Sequence, residues 1–195
     1  APAYFAGFLA EFRRCYPGVD VYFKELDHEQ ILRGLNNGNY EVAITFDLGG
    51  AEKLDVTKLT TLSPYAVLGG RHPLSAAESL SLEDLYSSPL ILMDLPHTRD
   101  YFLSLFTRLN LTPNLSHVVT SLEMLRALAA NNHGYGLMNI RPRSAITYDG
   151  TSVSMIPLKG NHPPLDVVIL KLRDRPHRKV TEVFYSTAMR YFTSS

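Results

Sequence analysis

The polar residues that stand where an apolar run gives way to a helix or a loop are Asp27, His28, Thr45, Asp94, His97, Thr120, Ser121 and Asn139, with Phe46 beside Thr45. Such a set suits a small anion. Unpaired N–H groups at a helix start carry partial positive charge, and a neighbouring hydroxyl or imidazole completes the anion's hydrogen-bond set. Phe46 and Tyr65 instead suit an apolar or aromatic part of a ligand, and residue type alone does not choose between the two. Each residue also has a plainer role: Asp27, Thr120 and Ser121 as helix caps, His28 and His97 as solvated helix-start residues, Phe46 as core. What raises the set above these roles is its shared place at strand-to-helix junctions, the end of the sheet where open α/β folds bind ligands.

Other chemistries lack their residues. Gly134-Tyr135-Gly136 lies between a helix end and a strand, the reverse of the order a dinucleotide fingerprint requires. The sequence has no phosphate-cradling Gly-x-x-x-x-Gly-Lys-Ser/Thr loop, no Gly-x-Ser-x-Gly elbow and no His-Glu-x-x-His pair. The seven histidines, at 28, 72, 97, 117, 133, 162 and 177, show no local metal-ligand spacing, so neither a metal nor a cofactor is expected. Asp94 and His97 are the nearest acid–base pair, but a strand end and a helix start three residues apart need not face each other. Cys15, the one cysteine, reads as a small buried residue of the first helix.

The elements that must position this set follow from apolar periodicity. Tyr4, Phe5, Phe8, Leu9 and Phe12 predict an amphipathic helix that stops at Pro17-Gly18, followed by a strand over Val19 to Phe23. Asp27 and Gln30 have capping-box spacing before Ile31, Leu32 and Leu35. Tyr40 to Phe46, Val56 to Leu62 and Tyr65 to Leu68 read as strands, Ser81 to Tyr86 as a short capped helix, and Leu90 to Met93 as a buried strand. A helix over Thr98 to Asn110, a strand over Leu115 to Val119, a helix capped by Thr120 with Glu123, and a strand over Tyr135 to Met138 follow. Val153 to Leu158 and Leu165 to Leu172 are strands, and Val180 to Tyr191 stripe a last helix. This alternation predicts an α/β fold with mainly parallel sheets. Breaker loops near 70 and 161 divide it into a first lobe of residues 1–70 and 165–195 and a second of 71–164.

With 195 residues, 45% of them hydrophobic, the chain can bury a sizeable core without disulfides, and a lone cysteine offers no intrachain pair. Lys plus Arg and Asp plus Glu each number 19, and each lobe is separately neutral, with twelve of each sign in the first and seven in the second. Neither lobe is biased towards a polyanion, so these residues alone are not expected to hold DNA. No apolar run approaches the roughly 18 residues of a membrane span.

Several patterns in order resemble the effector-binding domain of LysR-type transcriptional regulators over essentially the whole chain. Phe8-Leu9-Ala10-Glu11-Phe12 with Tyr16-Pro17-Gly18-Val19 resembles the family's opening helix and turn, and Leu35 to Gly38 with Glu41-Val42-Ala43-Ile44 resembles its next segment. His72-Pro73-Leu74 with Ser81-Leu82-Glu83-Asp84-Leu85 looks like its hinge pattern, and Ser121 to Ala130 with Gly134 to Met138 like its second-lobe helix and strand. The resemblance implies two Rossmann-like lobes of periplasmic-binding-protein type joined by two crossover segments, with a small-molecule effector in the cleft between them. It carries effector contact onto His28, Thr45, Phe46, Asp94 and Thr120 or Ser121; His97 and Asn139 come from the junction argument. The sequence departs from the family at Asn139, where proline is common, and at Asn131-Asn132; Asn139 and nearby Arg141 add polar or anion-binding capacity.

The resemblance further implies a homodimer or homotetramer, a cytoplasmic location, and DNA contact only through a winged helix-turn-helix domain absent from these residues. It also places a strand before the opening helix, whereas Ala1 already sits at the helix entry. The expected function is therefore a ligand-sensing regulatory domain without catalysis, with no membrane contact. Two alternatives share the architecture: an extracytoplasmic solute-binding protein, and a lyase or hydrolase acting on a small acid.

Overall fold

Alternate residues of the 165–172 run face different clusters. Val167 and Ile169 pack with Phe8, Phe12, Leu59 and Phe184, whereas Val168 and Leu170 pack with Leu35 and Leu54. Successive strand side chains point to opposite faces, so this run is covered on both. The computed structural model describes residues 2–173, 176 and 178–193, the side chains of residues 2–4 excepted; Ala1, His177 and the Tyr4 side chain lie outside the described residues. In chain order the elements are α1 (Pro2–Cys15), α2 (His28–Asn36), β1 (Ala43–Phe46), β2 (Leu54–Leu62), β3 (Tyr65–Gly69), β4 (Leu90–Met93), α3 (Thr98–Thr107), β5 (Leu115–Val119), α4 (Leu122–Ala130), β6 (Tyr135–Met138), β7 (Val153–Pro157), β8 (Leu165–Leu172) and α5 (Lys179–Thr193).

Two compact units result, Ala1–Leu62 with Leu165–Ser195, and Ser63–Pro164. The first boundary thus falls after Leu62, not at residue 70. The reason is pairing: Tyr65–Gly69 is laddered to β6 and β7 inside the second unit, so the loop around His72-Pro73 is internal to that unit.

In the first unit the sheet order is β1-β8-β2, and both pairings are antiparallel. The expectation of mainly parallel sheets fails here. A continuous apolar run reports coverage on both faces, which a central antiparallel strand shares with a parallel one. Helices α1 and α5 supply the aromatic residues of one face; the Phe8 ring lies 5.0 Å from Phe184, 5.6 Å from Tyr191 and 6.0 Å from Phe192. Helix α2 covers the other through Leu35, Ile31 and Leu32. Its capping box forms as the spacing predicts: the Gln30 N–H donates to Asp27 at 2.8 Å, and the Asp27 N–H to the Gln30 side chain at 3.4 Å.

The expected strand over Val19 to Phe23 has no regular structure and joins neither sheet among the described residues. Tyr22 is 92% exposed and Phe23 57%, although the Phe23 ring meets Phe5 at 5.4 Å. An apolar alternation becomes a strand only when a neighbouring edge accepts its hydrogen bonds. Cys15 is also exposed rather than buried, its thiol directed to Glu11 at 3.6 Å on the outer face of α1.

The second unit holds a mixed sheet of order β5-β4-β6-β3-β7, parallel across β5-β4-β6 and antiparallel from β6 to β7. Ser81 to Tyr86 forms turns instead of a helix. Ser81 and Asp84 do exchange capping bonds, at 2.8 and 3.2 Å, but the following bonds close every third residue and Pro89 soon ends the run. Gly134, at φ +150, lets the chain pass so close to the Pro89 carbonyl that a Cβ would collide with it, and Tyr135 N–H donates to that carbonyl at 2.9 Å.

A polar seam joins α4 to the segment 144–151. Arg126, 6% exposed, pairs with Glu123 at 2.8 Å and donates to the carbonyls of Ser144 at 2.7 Å and Ile146 at 3.0 Å. Glu123 accepts the Tyr148 N–H at 2.5 Å, and Asn131 donates to Asp149 at 3.1 Å. Bonds from Thr147 and then Thr151 hold the Asp149 carboxyl well below the usual carboxylate range.

Candidate functional site

Strand β4 is the pivot of the second unit. The chain leaves it through α3 to reach β5 on one side and returns through α4 to β6 on the other, with both neighbours parallel to it. Such a reversal is a topological switch point, and the carboxyl ends of strands flanking one form a ligand crevice in open α/β sheets. The residues that follow β4, β5 and β6 are Asp94 to His97, Thr120 and Ser121, and Asn139. One sheet end therefore gathers every second-unit candidate.

Their local roles differ. Asp94 donates its N–H to Val119 at 2.7 Å, which holds the ends of β4 and β5 together, and its carboxylate pairs with Arg99 at 3.2 Å. His97 is the N-cap residue of α3 with φ 64 and ψ −30, a left-handed backbone that L side chains adopt at a cost, and its side chain makes no cap bond. Ser121, not Thr120, caps α4: it accepts from the Met124 N–H at 3.4 Å, so the helix begins at Leu122 and Glu123 is freed for Arg126. Asn139 is 7% exposed and donates to the Tyr101 hydroxyl at 3.1 Å.

In the first unit, His28 opens α2 and its Nε2 lies 3.0 Å from the Gly49 carbonyl, so the loop after β1 is drawn back to the helix start. Gly49 and Gly50, at φ +83 and +77, make that return possible. Thr45 and Phe46 close β1 opposite Val168 and Val167. They point to opposite faces: Phe46 lies with Phe5, Ile44, Leu62 and Phe192 around an apolar hollow of the aromatic core, while Thr45 shares the α2 face with Ala43. Phe46 is thus a core residue more than a pocket wall.

Sequence reasoning missed Arg99 and Tyr101. Tyr101 reads as part of the apolar stripe of α3, yet its hydroxyl links Asn139 to the Pro163 carbonyl, 2.8 Å away. The available signal was position, since a phenol one turn after the helix start carries its polar tip to the sheet end. Among the described residues no group of three or more His, Cys, Asp or Glu side chains is placed to hold a metal ion.

The cap assignment has a direct test. Ser121→Ala is expected to cost about 1 kcal/mol in urea denaturation, and Thr120→Ala much less. The reverse order would return the cap to Thr120.

A family model described as LysR substrate binding domain matches residues 1–192. The chain belongs to the LysR substrate-binding domain family. Its similarity to a crystal structure of HinK, a LysR family transcriptional regulator from Pseudomonas aeruginosa, reaches a TM-score of 0.93 at 30% identity, covering 98% of this chain and 67% of that one. It is 25% identical over 154 residues to the HTH-type transcriptional regulator TtuA of Agrobacterium vitis, covering 77% of this chain and 50% of TtuA. The chain thus spans half the length of that relative. The effector-binding domain of QuiR in complex with shikimate, at 17% identity, has the same fold, with a TM-score of 0.82 over 97% of this chain and 90% of that one. The fold is the periplasmic-binding-protein-like α/β fold of LysR substrate-binding domains, and the chain is a ligand-sensing regulatory domain. No helix among the described residues is long and apolar enough to cross a membrane.

Proposed function

We propose that this LysR substrate-binding domain recognises a small carboxylate or similar anion through the strand-end set of its second unit, Asp94, His97, Ser121 and Asn139, with Thr120 beside them. Within the first unit the corresponding candidates are His28 at the start of α2 and Thr45 at the end of β1, while Phe46 faces the aromatic core. The observation that carries this reading is the switch point at β4, which brings three strand ends and two helix starts to one place. Helix N-termini favour a negative ligand, and shikimate, the ligand in the QuiR complex, is a carboxylate. Regulation then follows from differential affinity: an effector biases the domain only if it binds one arrangement better than another.

In the full-length protein this domain controls a DNA-binding segment lying outside these residues, and the protein acts in the cytoplasm as a homodimer or homotetramer. The domain itself does no chemistry on its ligand. Among the described residues no hydrogen bond between Asp94 and His97 supports the acid–base reading: the Asp94 carboxylate pairs with Arg99.

Thermal unfolding against a panel of small acids, beginning with shikimate and benzoate, tests the reading. A ligand at 100 times its Kd should add about 2.7 kcal/mol, several degrees in Tm. Asn139→Ala should abolish most of that increment while leaving the free domain folded. An undiminished increment in Asn139→Ala and in Ser121→Ala would remove these residues from the site.

A further inference from the structure

The chain returns from the second unit to the first between Pro164 and Leu165. Pro163 and Pro164 have no N–H, so this segment cannot anchor itself by donating there. Upstream, the Lys159 N–H donates to Leu80 at 2.8 Å, and the His162 ring lies 3.1 Å from the Lys159 carbonyl. At the prolines themselves the hold comes from a side chain: the Tyr101 hydroxyl donates to the Pro163 carbonyl at 2.8 Å.

That hydroxyl is oriented. A phenol has one O–H, and the Asn139 side-chain N–H fills its acceptor side at 3.1 Å, which leaves the proton to Pro163. Burial raises the Tyr101 pKa, while the bond from Asn139 pulls the other way, so the group remains a donor at neutral pH. The ring is seated against Phe102 at 5.1 Å, and the Tyr101 N–H donates to the His97 carbonyl at 3.0 Å, which fixes the residue to the start of α3.

We propose that Tyr101 is a positioning residue that ties the return crossover at Pro163 to Asn139, so that a change at the end of β6 is transmitted to the path of the chain entering β8. Only the meaning of that change as effector binding rests on the proposed function. The tie itself does not.

Hydrogen exchange of the ligand-free domain therefore tests the tie separately. Tyr101→Phe removes one oxygen and keeps the ring. It should speed exchange of the amides in 158–166 about fivefold, the worth of one hydrogen bond, and leave β4 and β6 unchanged. Asn139→Ala should speed the same amides in the Tyr101 background and add nothing in the Tyr101→Phe background. Unchanged exchange at 158–166 in Tyr101→Phe would overturn the proposal. So would additive effects of the two substitutions, or a rise spread over α3, β4 and β6, which would assign Tyr101 a packing role alone. Because no ligand enters the experiment, its failure would leave the effector reading standing, and failure of the acid panel would leave the tie standing.

Discussion

Arg126→Ala is expected to destabilise the second unit by about 3 kcal/mol, the cost of breaking a buried ion pair by removing one partner. The guanidinium serves three acceptors at once, Glu123 and the carbonyls of Ser144 and Ile146. Removing it takes the counter-charge from a mostly buried carboxylate and one donor from each of the Ser144 and Ile146 carbonyls. Arg126→Lys should recover little, since an ammonium on a flexible stem does not span the same fork of acceptors. Urea denaturation followed by circular dichroism reads the effect on each variant. A loss below 1 kcal/mol would show that the seam to 144–151 adds little to stability.

Phe8→Ala should be at least as severe in the first unit, about 4 kcal/mol. The ring is fully buried, within 6.3 Å of five other aromatic rings: Phe5, Phe12, Phe184, Tyr191 and Phe192. Truncation opens a cavity whose walls belong to two helices and cannot all collapse inward. Phe8→Leu should cost far less because it retains most of the volume. The comparison in urea separates volume from mere apolarity: equal losses for Ala and Leu would mean that ring geometry, not filled space, is what counts.

The fold was legible wherever a local rule and its tertiary partner agree. The α2 capping box needs only residues 27 to 30, and the α1 stripe meets the aromatic stripe of α5 as its period requires. Val19 to Phe23 was misread because alternation describes a side-chain pattern and says nothing about a backbone partner. Strand direction in the first unit was misread because burial on both faces is indifferent to polarity. At α4, two adjacent hydroxyl residues offered two caps one residue apart, and the bond from the Met124 N–H to the Ser121 hydroxyl makes the second of them the cap. The sheet-end set of the second unit was found from strand-to-helix junctions alone. Tyr101 and Arg99 escaped because their partners, Pro163 and Asp94, are set by chain crossing and helix phase.

The place of β8 also sets an order of assembly. It lies between β1 and β2, yet among the described residues it is the last strand in sequence. During synthesis from the N-terminus, the segment 63–164 can emerge and fold while the first unit still lacks its middle. Until residue 172 leaves the ribosome, β1 and β2 have no shared neighbour, and the aromatic face of α1 has no α5 to meet. The earlier-emerging unit is therefore the later to close.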